Sequence, residues 1–559
     1  MKGSSVPFNP GQALSQAVAL HRQGQLREAE KIYARVLKIA PDNFDALNLR
    51  GAVKVQQGQF GEARRLFSAA VKANPRVAMA WCHLGQAEYA LKRPAEALQC
   101  FDKALALAPD DADILYQHAN ALLSLDRTRD ALAELQIVLA RKPQHFEARL
   151  NKGLAQAKLG FAEGALADFE AALALAPQHP VAHYNRGVAL IKFGRYAEAV
   201  AANDRAIAAA PQHSGAWLNR GKALAQLRRL DEAIASYGEV LALRKDHADA
   251  HFNQALALLT IGDYRRGFTE YEWRWRRTGM PPQQSRGRPL WLGEYSLPGK
   301  TILLHAEQGL GDTIQFARYV PLVAARGARV VLEVQPELKS LLSRLEGAAA
   351  VVARGEAPPP FDVHCPLGSL PLATKTELQT VPAPASYLAA DEAHLKKWSA
   401  RLQHVPPPRV AIAWSGNPAH DNDRNRSLPF GALAPLFTTG ASFIGIQRDL
   451  RSEDAARLAA ETRLIHVGGE LDDFNDTAAV LALCDLIISV DTAPAHLGGA
   501  MGRPVWVLVP FAPDWRWMLE GETTPWYPTA RLFRQHSPGD WDAVIARVAA
   551  ALKLSGLQK

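Results

Sequence analysis

A period of 34 residues governs the first half of this 559-residue chain. A small residue recurs at Gly51, Gly85, Ala119, Gly153, Gly187, Gly221 and Ala255. An alanine recurs at Ala29, Ala63, Ala97, Ala131, Ala165, Ala199 and Ala233, followed four positions later by Tyr33, Phe67, Phe101, Leu135, Phe169, Asn203 and Tyr237. Prolines stand at Pro41, Pro75, Pro109, Pro143, Pro177 and Pro211. Such a period predicts stacked helical hairpins, because small residues let two helices approach, large side chains fill the gap and proline ends the second helix.

This pattern resembles the tetratricopeptide repeat over about residues 8–275, as roughly eight hairpins. The resemblance implies an α-solenoid, a right-handed superhelix with a concave binding groove. We place the array at residues 1–280 and a linker at residues 281–298, with the boundary near residue 285. Five arginines between Arg274 and Arg288 either contact an anionic ligand or form a solvated face against the next domain.

One polar column marks the later repeats. It lies two residues before the small residue and consists of Asn151, Asn185, Asn219 and Asn253. A side-chain amide has an acceptor and two donors, so four of them can hold the backbone of an extended acceptor polypeptide. The upstream equivalents are Leu49, His83 and Gln117. The competing interpretation is that asparagine is simply frequent at this position in tetratricopeptide repeats.

Composition indicates a globular protein of two to four domains, with 48% hydrophobic and 21% charged residues. The net charge of +8 favours anionic ligands but is spread too thinly to indicate nucleic-acid binding. The four cysteines lack metal-type spacing, the amino terminus lacks the apolar core of a signal peptide, and no run approaches 18 apolar residues. We therefore expect a soluble, reduced, cytoplasmic protein with no membrane span.

From residue 299 the pattern changes to alternating strands and helices, which predicts parallel sheets built from βαβ units. Strands are expected at residues 301–307, in RVVLEV, AAAVVA, RVAIAWSGN, ASFIGIQ and LIHVGG, and at residues 484–490 and 505–510. A helix is expected over residues 313–325, with a kink at Pro321. The turn GLGD is not a GxGxxG fingerprint, and no Gly-Lys-Ser/Thr follows it, which excludes a P-loop. We divide this part into an amino-terminal half at residues 299–390 and a carboxyl-terminal half at residues 391–559.

Residues 484–510 predict a strand, a tight loop, a short helix and a second strand. Their sequence is CDLIISVDTAPAHLGGAMGRPVWVLVP. Asp491 and Thr492 stand where the first strand ends, and His496 lies in the first helical turn. Ligands bind at the carboxyl ends of parallel strands, and a helix N-terminus offers free N–H groups to an anion such as a diphosphate. The alternative is a helix cap that joins two core strands.

Two motifs resemble glycosyltransferase family 9, the bacterial heptosyltransferases, over about residues 299–540. GLGDTIQFARYVP resembles the family's amino-terminal glycine–aspartate turn, and SVDTAPAHLGGAMGRPVWVL resembles its donor-site signature. The resemblance implies a GT-B fold, an α/β arrangement of two Rossmann-like halves with parallel sheets, and inverting transfer. Fusion to tetratricopeptide repeats is similar to bacterial flagellin glycosyltransferases and, in architecture, to O-linked N-acetylglucosamine transferases.

The resemblance implies catalytic and donor-binding roles for the residues at matching positions of this chain. Asp312 aligns with the carboxylate proposed as catalytic base, which would take the proton of an acceptor hydroxyl; the alternative is that it caps a helix starting at Thr313. His496, as a neutral donor beside the helix N-terminus, would stabilise the leaving phosphate. The expected donor-binding residues are Gly309, Gly311, Ser415, Gly416, Asn417, Arg424, Arg426, Gln447, Asp491, Thr492 and His496.

The chain departs from the family at two points. The loop SGNPAHDNDRNRS has no lysine toward the phosphates, so Arg424 or Arg426 would have to serve, and Ala493 stands where the family has glycine. No metal or other cofactor is expected beyond the nucleotide sugar as substrate, because the helix N-terminus and His496 would stabilise the leaving phosphate. Trp515, Trp517, Trp526 and Tyr527 are interpreted as a hydrophobic lid, and Arg516 and Arg534 receive no role.

These features predict an inverting, metal-independent glycosyltransferase that moves a sugar from a nucleotide donor to a Ser or Thr hydroxyl of a protein held by the repeats. Two alternatives stay open. One is a tetratricopeptide scaffold with a degenerate transferase domain, and the other is a glycosyltransferase acting on lipopolysaccharide. The sequence leaves the sugar, the nucleobase, the acceptor and the oligomeric state open.

Overall fold

The structure is a computed structural model that describes residues 9–278, 286–419 and 422–554. The predicted boundary near residue 285 lies outside the described residues. Contacts within the chain divide it into two compact units, Met1–Asn219 and Arg220–Lys559. Every helix among the described residues is too short or too polar to span a lipid bilayer.

The first unit consists of antiparallel helical hairpins. Its helices are α1 (Pro10–Arg22), α2 (Leu26–Ile39), α3 (Phe44–Gln56), α4 (Phe60–Ala73), α5 (Ala78–Ala90), α6 (Pro94–Leu107), α7 (Ala112–Ser124), α8 (Thr128–Arg141), α9 (Phe146–Leu159), α10 (Ala162–Leu175), α11 (Pro180–Lys192) and α12 (Tyr196–Ala209). Helix α13 (Ser214–Gln226) begins in the first unit and ends in the second. Each second helix ends two residues before the periodic proline, as predicted.

The small and large positions of the repeat meet inside each hairpin. A Cβ atom added at Gly51 would lie 2.5 Å from the Phe67 ring, and one added at Gly153 would lie 2.8 Å from the Phe169 ring. Both rings are buried. The predicted pairing of a small residue with a large one is confirmed at these positions.

Asn203 replaces the aromatic ring in one hairpin and leaves a buried polar atom unpaired. Its Nδ2 donates to the Ala199 carbonyl at 2.8 Å, whereas its Oδ1 has no hydrogen-bond partner among the described residues. Such an unpaired group costs about 1–3 kcal/mol. We expect the N203F substitution, which places phenylalanine over Gly187 as in other hairpins, to raise the free energy of unfolding by about 1–3 kcal/mol.

Chemical unfolding of the full chain measures this effect. The reverse substitution F169N, in the neighbouring hairpin, is the matched control and is expected to lower stability by about 3–5 kcal/mol. A loss of stability in N203F as well would show that the space above Gly187 does not accept a ring.

The second unit begins with α14 (Leu230–Leu243), α15 (Ala248–Thr260) and α16 (Tyr264–Tyr271). The described residues thus hold sixteen repeat helices, in agreement with the eight predicted hairpins. The last hairpin belongs to the core of the second unit, where the Trp526 indole N–H donates to the Tyr264 hydroxyl at 2.9 Å. Phe268 packs edge-on against Trp515 in the same cluster.

Two parallel sheets follow. The first has the order β3-β2-β1-β4 and contains β1 (Thr301–His305), β2 (Arg329–Val334), β3 (Ala348–Ala353) and β4 (Val363–Pro366). The second has the order β10-β9-β8-β5-β6-β7 and contains β5 (Arg409–Ala413), β6 (Ser442–Gly445), β7 (Leu464–His466), β8 (Leu486–Val490), β9 (Val505–Val509) and β10 (Ala530–Arg534). The predicted α-solenoid followed by an α/β part with parallel sheets is confirmed; β4 and β10 were not predicted.

Ten helices accompany the sheets within the described ranges. They are α17 (Leu310–Phe316), α18 (Val320–Ala325), α19 (Pro336–Leu342), α20 (Leu370–Ala373), α21 (Glu392–Arg401), α22 (Asp423–Arg426), α23 (Ser452–Ala460), α24 (Phe474–Ala482), α25 (Ala493–Ala500) and α26 (Trp541–Leu554). Strands β8 and β9 are buried along their whole length, which explains why their sequences are apolar apart from Ser489.

The prediction of one helix over residues 313–325 is wrong. Helices α17 and α18 replace it, joined by a 3-10 turn at Ala317–Tyr319, and Pro321 lies in the first turn of α18, where a missing N–H costs little. Helix α17 begins at Leu310, so Asp312 lies inside its first turn and not ahead of a helix starting at Thr313.

Candidate active site

The candidate site lies where α17, which follows β1, meets α25, which follows β8. At the closest approach, a Cβ atom added at Gly311 would lie 2.8 Å from His496 Cδ2 and 3.5 Å from Ala493 Cα. Only glycine leaves room for this contact. The fold therefore brings the GLGD turn and the DTAPAH segment together, although about 180 residues of chain separate them.

Asp312 occupies the third position of α17 and uses both carboxylate oxygens. Its Oδ2 accepts from the backbone N–H of Gly309, the N-cap residue, at 3.0 Å, and its Oδ1 accepts from Arg516 Nη2. The Asp312 side chain is 26% exposed. The carboxylate therefore caps the helix from within, yet it remains accessible from solvent.

Arg516, which received no role from the sequence, lies at the centre of the site. Its Nη1 donates to Asp514 Oδ1 at 2.9 Å, its Nε donates to Gln315 Oε1, and the guanidinium lies 4.3 Å from the Trp515 ring centroid. Burial disfavours the charge, but the carboxylates of Asp514 and Asp312 outweigh it and raise the pKa of the guanidinium above its ordinary value. Arg516 is therefore a fixed positive charge.

The His496 imidazole is buried among aromatic rings. Its Nδ1 lies 3.0 Å from the Tyr527 hydroxyl, its ring stacks on Trp517 with centroids 5.4 Å apart, and its Nε2 lies 3.8 Å from Asp491 Oδ1. Burial raises the pKa of the Tyr527 hydroxyl well above its ordinary value, so this group stays protonated and can donate to Nδ1. When Tyr527 donates to Nδ1, the ring proton lies on Nε2.

Electrostatics keep the His496 ring neutral. Burial lowers the pKa of His496 well below its ordinary value, and so do three nearby positive charges, those of Arg516, Arg318 and Arg426. A neutral ring with its proton on Nε2 can donate one hydrogen bond to a phosphate oxygen without becoming charged.

Asp491 and Thr492 connect β8 to α25. Asp491 is 9% exposed, and burial, followed by the nearby charge of Asp514, raises the pKa of its carboxyl to about 6. Thr492 is the N-cap residue, and its hydroxyl donates to the Val490 carbonyl at 3.3 Å. The turn before α25 therefore holds a carboxyl that titrates close to neutral pH.

The raised pKa of Asp491 predicts a pH-dependent stability. The contribution of the protonated Asp491 carboxyl to the free energy of unfolding is complete below the unfolded-state pKa, near 4. This contribution is lost as the pH rises through about 6. We expect the D491N variant, which keeps a neutral side chain of similar shape, to gain about 1–1.5 kcal/mol of stability relative to the parent between pH 5 and pH 8, because part of the loss in the parent has already occurred at pH 5. Unfolding both proteins at the two pH values measures the gain, and parallel stability curves would contradict the expectation.

The loop after β5 brings Arg426 to the same turn. Arg426 Nη1 donates to the Asp491 carbonyl at 3.0 Å, and a Cβ atom added at Gly416 would lie 2.7 Å from Arg426 Nη2. Arg424 lies on the same short helix, α22, with an exposed side chain. Of the two arginines that could replace the family's lysine, Arg426 is the one in contact with the DTAPAH segment. Asn417 lies in a turn of this loop, where its Oδ1 accepts from the Ala419 N–H at 2.9 Å.

The Gln447 side chain forms hydrogen bonds with the backbone where this loop begins. Its Oε1 accepts from the backbone N–H groups of Trp414 at 3.2 Å and Ser415 at 3.1 Å, and its Nε2 donates to the Asp449 carbonyl at 3.1 Å. Gly416 N–H donates to Ser427 Oγ at 2.9 Å. The structure thus brings Ser415, Gly416 and Arg426 to the site and gives the Gln447 amide partners on both sides.

All four side chains of the asparagine column are half-buried. Asn151 Nδ2 donates to Asn120 Oδ1 at 2.7 Å, and Asn253 Nδ2 donates to the Asp249 carbonyl at 2.7 Å. The Nδ2 of Asn219 is buried and has no hydrogen-bond partner among the described residues. Asn151, Asn185 and Asn219 belong to the first unit and Asn253 to the second.

In the described part of the chain, one group of side chains has the spacing of metal ligands. Ligand atoms of His394, Asp473 and Asp476 lie within 4.8 Å of one another. Asp476 Oδ1 already accepts from the Trp398 indole N–H at 2.6 Å and from Lys397 at 2.9 Å, and Asp473 caps α24. These bonds indicate a structural role in joining α21 to α24.

Comparison with known protein families supports both halves of the sequence interpretation. Residues 49–112, 116–180, 156–214 and 216–272 match one tetratricopeptide repeat profile, and residues 13–47 match another. Residues 441–537 match the profile of glycosyltransferase family 9 (heptosyltransferase). This second match includes Asp491, Thr492 and His496, as well as Arg516.

A curated relative is Protein FlbA of Caulobacter vibrioides, 30% identical over an alignment of 323 residues, with coverage of 53% of this chain and 53% of the relative. The chain therefore spans about half the length of that relative. Among solved structures, the TPR protein YrrB is 23% identical and covers 33% of this chain and 95% of its own, with a TM-score of 0.30. A tetratricopeptide repeat protein from Parabacteroides merdae is 15% identical and covers 44% and 98%, with a TM-score of 0.37.

Proposed function

We propose that this chain, which joins tetratricopeptide repeats to a glycosyltransferase family 9 segment, transfers a sugar from a nucleotide donor to a Ser or Thr hydroxyl of a protein. One observation carries the proposal: Gly311, the residue before Asp312, closely approaches His496 of the donor-site signature. A base and an anion-binding helix terminus at one site are what glycosyl transfer requires.

The proposed reaction is a single displacement. Asp312 takes the proton of the acceptor hydroxyl as its oxygen attacks the anomeric carbon of the sugar. The bond from that carbon to the donor phosphate breaks, and its electron pair leaves with the nucleotide. One displacement inverts the configuration at the anomeric carbon.

The groups around α25 would receive the negative charge that develops on the leaving phosphate. The His496 N–H, the N-terminus of α25 and the Arg426 guanidinium supply donors and positive charge there. Because these groups provide the charge stabilisation, the proposed mechanism includes no metal cofactor.

The repeats suggest that the acceptor is a polypeptide, and a flagellin-like protein is one candidate. We also propose that the reaction takes place in the cytoplasm. The half-buried side chains of the column favour a peptide-binding role over a purely structural one, because each residue keeps some surface open to a peptide backbone. A lipopolysaccharide acceptor and a degenerate scaffold are the alternatives that the test must separate.

The test combines a panel of nucleotide sugars with candidate acceptors co-expressed with the full chain. Release of nucleotide, together with a discrete increase in the intact mass of a protein acceptor, is the expected result. Nucleotide release that requires a lipopolysaccharide acceptor would replace the protein by a glycolipid. Failure of every nucleotide sugar to bind in calorimetry would favour the scaffold.

A variant with alanine at Asn151, Asn185 and Asn219 tests the asparagine column in the same assay. It is expected to raise the KM for the protein acceptor while donor hydrolysis is unchanged. The Q117A substitution at the equivalent upstream position is the matched control and should leave the acceptor KM unaffected. Equal acceptor KM values for all three proteins would remove the column from the proposal.

A further inference from the structure

We propose that Arg516 is a positioning residue that holds the Asp312 carboxylate in the orientation from which it accepts the acceptor proton. The inference rests on the proposed function and gives a role to a residue that no sequence motif singles out. It starts from the place of Arg516 in the fold, in the 3-10 turn Trp515–Trp517 after β9, whereas Asp312 lies on α17 after β1.

All three nitrogens of the Arg516 guanidinium donate to protein acceptors. Nη2 donates to Asp312, Nη1 to Asp514 at 2.9 Å and Nε to Gln315. The Arg516 side chain is 8% exposed. A planar group held at three points in a buried site has one orientation, so the atom that it presents to Asp312 is fixed in space.

The backbone of Arg516 is anchored as firmly as its side chain. Its N–H donates to Asp514 Oδ1 at 3.0 Å, and its carbonyl accepts from the Thr524 hydroxyl at 2.7 Å. Asp514 therefore holds Arg516 through both the backbone and the guanidinium. The position of Asp312 is thus determined by the turn after β9 as well as by its own helix.

The two oxygens of Asp312 are held by different elements. Gly309 N–H binds Oδ2 at 3.0 Å, and Arg516 binds Oδ1. One bond to each oxygen fixes the carboxylate plane, and each oxygen keeps a second lone pair for the proton of the acceptor. Without Arg516 only the Gly309 contact would remain, and a carboxylate on one contact can turn out of the reacting geometry.

A role in binding the donor phosphate suits Arg426 better than Arg516. Arg426 contacts the DTAPAH segment through Nη1, its Nε lies 3.5 Å from Asp423 Oδ1, and its Nη2 forms no hydrogen bond among the described residues. Each nitrogen of Arg516, in contrast, already has a protein acceptor. We therefore assign Arg426 to the binding of the donor phosphate and Arg516 to the orientation of Asp312.

The test compares the R516Q and R516K variants of the full chain with the parent, using nucleotide release for kcat and calorimetry for donor affinity. R516Q removes the charge and is expected to lower kcat by about 10- to 100-fold, with donor Kd within about threefold of the parent. R516K keeps the charge but cannot hold three partners, and is expected to recover part of the loss.

The R503K variant is the matched control. Arg503 is a half-buried arginine of the same unit that donates to the Cys484 carbonyl, before the start of β8 and therefore at the opposite end of that strand from Asp491. The variant is expected to lower the melting temperature and to leave kcat within about twofold of the parent. The control separates loss of an arginine contact in this unit from loss of the contact with Asp312.

Two results would overturn the inference: a raised donor Kd with unchanged kcat, which would make Arg516 a donor ligand, or unchanged kcat and Kd in both variants. If R516Q does not fold, D514A tests the same point, because it removes the oxygen to which the Arg516 N–H and Nη1 donate, at a side chain that is 30% exposed; an unchanged kcat there would also overturn the inference. A parent chain that transfers no sugar from any donor contradicts the proposed function instead.

Discussion

Replacing Asp312 by asparagine is expected to lower kcat by about 100- to 10,000-fold and to leave donor Kd within about threefold. Asparagine keeps the shape of the side chain and can still accept from Gly309 N–H, which lies 3.0 Å from the carboxylate in the parent. It cannot take a proton from the acceptor hydroxyl. The D312N variant therefore removes the base while it retains the helix cap, and single-turnover nucleotide release measures the loss.

The D391N variant is the control for the capping role. Asp391 caps α21 through a bond from the His394 N–H at 2.9 Å and lies in the same unit, outside the cluster around Asp312. Its kcat is expected to equal that of the parent. If D312N turned over the donor as fast as D391N does, Asp312 would be a helix cap alone, and the base would have to be sought elsewhere, first at Asp491.

The repeats could be predicted from sequence because their structure depends on local contacts that recur. Gly51 meets Phe67 within one hairpin, so the period of 34 residues already contains both partners. The parallel sheets were predictable where a strand is an apolar run, as in β9 and, apart from Ser489, in β8. Strands β4, VHCP, and β10, ARLFR, lie at the edges of their sheets and carry polar residues, so no apolar run indicated them.

The start of α17 shows a limit of a different kind. Gly309 serves as N-cap and Asp312 at the third position bonds back to its N–H. From the sequence, the same aspartate suits a cap ahead of Thr313 equally well, because both positions are favourable for a carboxylate. Only the tertiary packing of Leu310 and Gly311 decides between them.

The motifs of the site were visible in the sequence, but the contacts between them were not. Arg516 and Asp312 are separated by 204 residues, and no local pattern relates them. The aromatic residues around Arg516 suggested a hydrophobic lid. In the structure Trp517 stacks on His496, and an arginine between two tryptophans is stabilised by carboxylates from two elements. Such pairing appears only when the chain is folded.

The largest effect expected outside the charged residues comes from adding a single methyl group at Gly311. The G311A substitution puts a Cβ atom 2.8 Å from His496 Cδ2, closer than two carbon atoms can approach. The His496 ring cannot move away from the added methyl group, since it is hydrogen-bonded to Tyr527 and stacked on Trp517. Helix α17 must move instead, and Asp312 moves with it.

A displacement of about 1 Å at a catalytic group costs up to about 100-fold in rate, so we expect G311A to lower kcat by at least about tenfold. The matched control is G238A on α14, where no atom lies within 4 Å of the added methyl group. That variant should keep the parental kcat and gain roughly 0.5–1 kcal/mol of stability, because alanine favours a helix over glycine. Parental turnover by G311A would mean that the contact between α17 and α25 is dispensable for transfer, and the site would then have to be assembled differently around Asp312.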